Sequence, residues 1–73
     1  MKLKWEEGFL ITVATGNNSA TISANKEGLL SLANHLLALS EEKAGCHIHL
    51  DAYNALEDNS ANLIIEQVEW PPA

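Results

Sequence analysis

Cys46-His47-Ile48-His49-Leu50-Asp51 sets a thiol, two imidazoles and a carboxylate along one short run. In an extended strand successive side chains alternate, so Ile48 and Leu50 face one way and His47 and His49 the other. One side is apolar, and the other carries groups that can bind metal, move protons or contact a partner. Positions i and i+2 of a strand lie about 6.5–7 Å apart, close enough for two imidazoles to converge on one zinc ion. Asp51 is the difficulty, because it lies about 13 Å from His47 in an extended strand unless the chain bends at Leu50. His-x-His-x-Asp is also the opening of a metallo-hydrolase signature, but Ala52 stands where that signature needs another histidine. His47, His49 and Asp51 are therefore the metal candidates, and no resident metal or other cofactor is expected.

Catalysis has less support. A nucleophile needs a base within hydrogen-bond reach, and strand alternation turns Cys46 away from its neighbour His47. Cys46 reads better as a small buried residue. His49 and Asp51 share a face and have the spacing of an acid/base pair, but no Gly-rich phosphate cradle accompanies them. The oxygen-rich run that starts at Asp51 is not an EF-hand loop: its third and fifth positions are Tyr53 and Ala55, and Leu56 replaces the central glycine. What it offers is an acidic loop, Asp51, Glu57 and Asp58 around Tyr53, suited to protein recognition or to a solvated connection over Leu56. No catalytic residue is assigned and no enzyme activity is expected.

The elements that position these groups follow from periodicity. Leu3, Trp5, Phe9, Ile11 and Val13 alternate with their neighbours, predicting a long first strand from Lys2 to Thr15 with an irregularity at Glu6-Glu7-Gly8. Gly16-Asn17-Asn18-Ser19 predicts a hairpin turn into a second strand, Ala20 to Ala24, with Ile22 inward. From Asn25 the period becomes that of a helix, with Leu29, Leu32, Ala33, Leu36 and Leu37 as its apolar stripe and Leu30 and Leu39 at the margins. Asn25 is the expected N-cap, Glu27 and Lys43 suit the two ends of the dipole, and Gly45 suits the left-handed position past the last turn. Gly28 in the first turn hints at a close packing contact. His35, grouped with Ser31, Asn34 and Glu42, is expected to face solvent. Asp51 to Asn62 reads as a loop, and Leu63 to Trp70 as a fourth strand bulged or doubly buried near Ile64 and ended by Pro71-Pro72.

These elements make one α+β domain over residues 1–73: a ββαββ two-layer sandwich, one helix on one face of a four-stranded, largely antiparallel sheet. A single helix leaves the other sheet face open. His47 and His49 are expected there with Leu10 and Ile64, an apolar admixture that suits a protein interface or a homodimer.

Composition narrows the partners. Ten acidic residues against four lysines give a formal charge of −6 with no arginine, the opposite of a nucleic-acid footprint and unsuited to anionic membranes. The favoured macromolecular partner is a protein with a basic surface. At 73 residues only about 60% of the unfolded surface can be buried, and one cysteine closes no internal disulfide. With no signal segment or membrane-length apolar run in view, a cytoplasmic protein is expected.

The ordered segments Asn25-Lys26-Glu27-Gly28-Leu29-Leu30-x-Leu32-Ala33, His47-Ile48-His49-Leu50-Asp51, Leu56-Glu57, Ser60 and Leu63-Ile64-Ile65 together resemble immunity protein family 32 of bacterial polymorphic toxin systems. The resemblance runs from Asn25 to Glu69. It implies a small cytosolic bacterial protein that protects its producer by binding and occluding a toxin encoded beside it. The family pattern points to His47, His49, Asp51 and Glu57 as contact candidates, to which the residue reading adds Tyr53 and Asp58. A metal-binding protein built on His47 and His49, or a structural homodimer, is the alternative.

Overall fold

The computed structural model describes residues 1–70. The elements follow in the order β1 (Ile11–Gly16), β2 (Ser19–Ala24), α1 (Lys26–Ser40), β3 (His47–Leu50) and β4 (Leu63–Glu66), an α+β chain of ββαββ order. Among the described residues the expected four-stranded sheet is not formed: β1 pairs with β2, and β3 with β4, as two antiparallel ribbons. The free edge of β1 is taken by the loop before β4. Glu57 donates its amide to the Ile11 carbonyl at 2.9 Å, Ala61 donates to Val13 at 2.8 Å, and the Val13 amide donates to Ser60 Oγ at 3.2 Å. Asn59 between them has φ +68°, which bends the backbone too sharply for a flat third strand. A side-chain oxygen therefore stands in where a neighbouring strand would supply a carbonyl.

The hairpin forms where the residues predict it. Gly16 pairs with Ser19, leaving Asn17 and Asn18 as a two-residue loop with φ of 51° and 61°, the paired positive values of a type I′ turn. Ile22 lies opposite Val13 on the same side of the ribbon, yet it stays exposed, as does every β2 residue but Ala24. The first strand is also shorter than expected. Residues before Ile11 turn at Glu7-Gly8, where Gly8 has φ +84°, and Leu3, Trp5 and Phe9 pack on the core from outside the sheet.

The helix carries the largest departure from periodicity. Its buried row is Gly28, Ser31, Leu32, His35 and Leu39, whereas Leu29, Leu30, Ala33, Leu36 and Leu37 are exposed. His35, expected in solvent, is wholly buried. Three contacts impose this rotation. Gly28 sits against the Leu10 carbonyl and the Ala24 and Ile11 side chains, leaving no room for a Cβ. Ser31 Oγ accepts the Glu6 amide at 2.7 Å, and Asn34 Nδ2 donates to Glu6 Oε2 at 3.1 Å. The polar row is thus consumed by the N-terminal segment, and the wider leucine stripe is left outside.

Both helix ends are tied to distant chain. Asn25 is the N-cap: its Oδ1 accepts from Gly28 at 2.7 Å and from Leu10 at 3.0 Å, while its Nδ2 donates to the Gly8 carbonyl. The helix stops at Ser40, so Gly45, with φ +98°, belongs to the connection and Lys43 lies beyond the last turn. Gln67 Nε2 donates to the carbonyls of Leu39, in the last turn, and of Glu42, just beyond it, at 2.7 Å each. One core results, from Ile11 and Val13 of β1, Leu32 and Leu39 of α1, Ile48 and Leu50 of β3, and Leu56 of the loop.

The candidate recognition surface

β3 has the alternation its residues predict. Ile48 and Leu50 are buried against the core, and His47 and His49 face outward. Their partners in β4 are Glu66 opposite His47 and Ile64 opposite His49, so the outer face of the ribbon reads His47, His49, Ile64 and Glu66, all exposed. Ile64 was expected near a bulge; instead β4 runs regularly with Leu63 and Ile65 inward and Ile64 outward, and it ends at Glu66. Pro71 and Pro72, expected to end the ladder, lie outside the described residues. Leu10 is exposed but belongs to the segment before β1, not to this ribbon. Cys46 is half-buried with its Sγ 4.0 Å from Glu42 Oε1, away from the histidine face.

Beyond Leu50 the chain bends at once. Asp51 Oδ1 accepts the amides of Tyr53 at 2.8 Å and Asn54 at 3.0 Å, and the Asp51 carbonyl accepts from Leu56 at 2.9 Å. Asn54 returns the arrangement, accepting the Asp51 amide and donating to the His49 carbonyl, each at 2.9 Å. This reciprocal Asx turn seats Leu56 in the core and pushes Tyr53 fully into solvent. Asn54 was missed from sequence, though an aspartate with an asparagine three residues on is a turn-forming spacing. His49 Nε2 and Asp51 Oδ2 are 3.9 Å apart, an ion-pair distance when the imidazole is protonated and too long for a hydrogen bond.

Of the six predicted contact residues, His47 and His49 share the ribbon face and run into Asp51 and Tyr53 at its end. Glu57 and Asp58 sit farther along the loop, where the Glu57 amide anchors it to β1. Among the described residues no three histidine, cysteine or acidic side chains come together as a group able to hold a metal ion. Among the described residues no pocket opens at this surface, and the groups form an open patch. No helix of the described residues is long and apolar enough to cross a membrane.

Asp51 Oδ1 holds the turn by accepting two backbone amides, and this gives a direct test. Asp51→Ala, which removes the acceptor of two amides, is expected to cost about 1–2 kcal/mol and to speed hydrogen exchange at Tyr53 and Asn54. Asp51→Asn keeps an oxygen in place and is expected to stay within about 0.5 kcal/mol of the parent in urea titration. Equal losses for the two variants would remove this role.

Neither the curated proteins nor the solved structures contain a match to this chain. The family model of Immunity protein 32 does match, over residues 19–68, a span from β2 through α1 and β3 to just past β4 that includes every residue of the candidate surface. With most of its length covered, the chain belongs to the immunity protein 32 family.

Proposed function

We propose that this protein neutralises a cognate toxin by binding it through the outer face of β3–β4 and the loop that follows, without catalytic turnover. The observation that carries this reading is the continuity of His47, His49 and Ile64 with a turn that presents Tyr53 fully exposed. An exposed aromatic on a hydrogen-bonded turn, at the end of a strand face that carries an apolar residue and two imidazoles, has the composition of a binding hot spot. Glu57 and Asp58, with a formal charge of −6 for the whole chain, favour a basic face on the toxin and rapid encounter. Family membership supports the toxin as partner, and the cytoplasm of the producing cell is the compartment where such protection is needed.

Asp51 is assigned as a positioning residue, so the clean contact probes are Tyr53, His49 and Asp58. Binding to the toxin encoded beside this chain, measured by calorimetry, is expected to weaken about 30-fold or more for Tyr53→Ala. Asp58→Asn is expected to act mainly on the association rate and to flatten its dependence on salt. A triple variant at His49, Tyr53 and Asp58 that stays folded and binds with unchanged affinity would exclude this surface.

A further inference from the structure

The exposed apolar side chains of α1 follow a pattern that is symmetric about one residue. Leu29 and Leu30 precede Ala33 by four and three positions, and Leu36 and Leu37 follow it by three and four. All five are exposed, Leu37 by 67% and Leu29 by 57%, and they occupy the side of the helix opposite Gly28, Leu32, His35 and Leu39. A two-fold axis through Ala33 and perpendicular to the helix would map this stripe onto itself. An isologous contact needs a patch complementary to its own two-fold copy, and this stripe places leucines at matching heights on both sides of Ala33.

We infer that α1 is the interface of a homodimer, two copies packing antiparallel with Ala33 at the crossing. Leu29 of one copy then meets Leu36 of a second copy on one side of the seam, Leu30 meets Leu37 on the other, and the small Ala33 lets the two backbones approach. Charge fits the same arrangement. Lys26 stands exposed at one end of the stripe and Glu41 at the other, and neither has an ion-pair partner among the described residues. Lys26 and Glu41 stand seven and eight positions from Ala33, so antiparallel packing sets Lys26 of each copy beside Glu41 of the other. The helix dipoles also oppose favourably, whereas a parallel pair would align them and put like charges together. Burying four leucines per copy supplies what a small acidic domain needs to overcome its own charge repulsion. The surface is separate from the β3–β4 face, so the inference does not depend on toxin binding.

Sedimentation equilibrium of the full chain over a dilution series is expected to show a monomer–dimer equilibrium. Leu37→Glu should weaken it about 30-fold for each copy altered while leaving the circular dichroism of the monomer unchanged, since Leu37 lies outside the core. Lys26→Glu and Glu41→Lys singly should each weaken dimerisation about tenfold, and the double variant should recover it. Orientation is read by disulfide trapping in a Cys46→Ser background. Ala33→Cys should give a covalent dimer on mild oxidation, and Ser40→Cys should not, because antiparallel packing puts the two Ser40 positions about 20 Å apart along the axis. A chain that is monomeric throughout, a dimer insensitive to Leu37→Glu, or equal trapping through both cysteines would overturn the inference. So would a monomeric parent whose toxin binding or binding to phospholipid vesicles is abolished by Leu37→Glu, since the stripe would then serve another occupant.

Discussion

Gly28→Ala is expected to destabilise the protein by about 3 kcal/mol, although alanine is the better helix former by about 1 kcal/mol. A Cβ at this position would lie 2.5 Å from the Leu10 carbonyl oxygen, 2.9 Å from Ala24 Cβ and 3.0 Å from Ile11 Cγ1. The first of these is backbone and already accepts the Asn25 amide at 3.1 Å. It cannot swing aside without breaking the bond that ties the segment leading into β1 to the N-cap of α1, and the Asn25 cap on the Gly28 amide would shift with it. Against a total stability of about 4–11 kcal/mol for a chain this size, that loss is large. Urea unfolding followed by circular dichroism measures it, with Gly16→Ala as control, because a Cβ at Gly16 meets nothing within 4 Å. A Gly28→Ala midpoint at or above that of the parent would contradict the close contact.

The second large effect concerns His35. Its ring is wholly buried and stands edge-on to Trp5 with centroids 4.1 Å apart, and among the described residues neither nitrogen has a partner in hydrogen-bonding geometry. Burial pushes its pKa below the ordinary 6.5, and the Lys4 backbone opposes the shift in part. The sign of the linkage follows. Between the lowered folded value and 6.5 the unfolded chain binds the proton and the folded chain does not, so stability is full above about pH 6.5 and falls as pH drops through that window. His35→Leu, close in volume and without polar atoms, is expected to raise stability at neutral pH by about 1–3 kcal/mol. It should also flatten the stability profile below pH 6.5, the remaining slope being common to both proteins. Thermal unfolding of parent and variant between pH 5 and 8 decides the matter, and parallel profiles would contradict the assignment. The polar residues that face inward on α1 thus do two different things. Ser31 anchors the N-terminal segment, and His35 makes folding sensitive to acid.

What the sequence determined by itself is the local grammar. The Asn17-Asn18 turn, the Asn25 cap, the tight Gly28 position and the alternation of His47-Ile48-His49-Leu50 were all legible, because each depends on the dihedral preferences or side-chain periodicity of a few adjacent residues. The ordered motifs also led to the correct family, which needs pattern and not coordinates. The candidate surface was legible in part: strand parity put both histidines outside, but the role of Asp51 as the acceptor that organises its own loop, with Asn54, was not drawn. Only the tertiary structure decided how the helix rolls and how the strands associate. Periodicity names the apolar stripe of α1, yet which face turns inward was settled by partners far away in the chain, Leu10 against Gly28 and Glu6 against Ser31. Steric exclusion at a glycine and a buried amide's need for an acceptor outweighed the burial of extra leucine surface. The same kind of long-range satisfaction split the expected sheet in two, because β1 found its second set of hydrogen bonds in Glu57, Ser60 and Ala61 and left no free edge for β3 or β4.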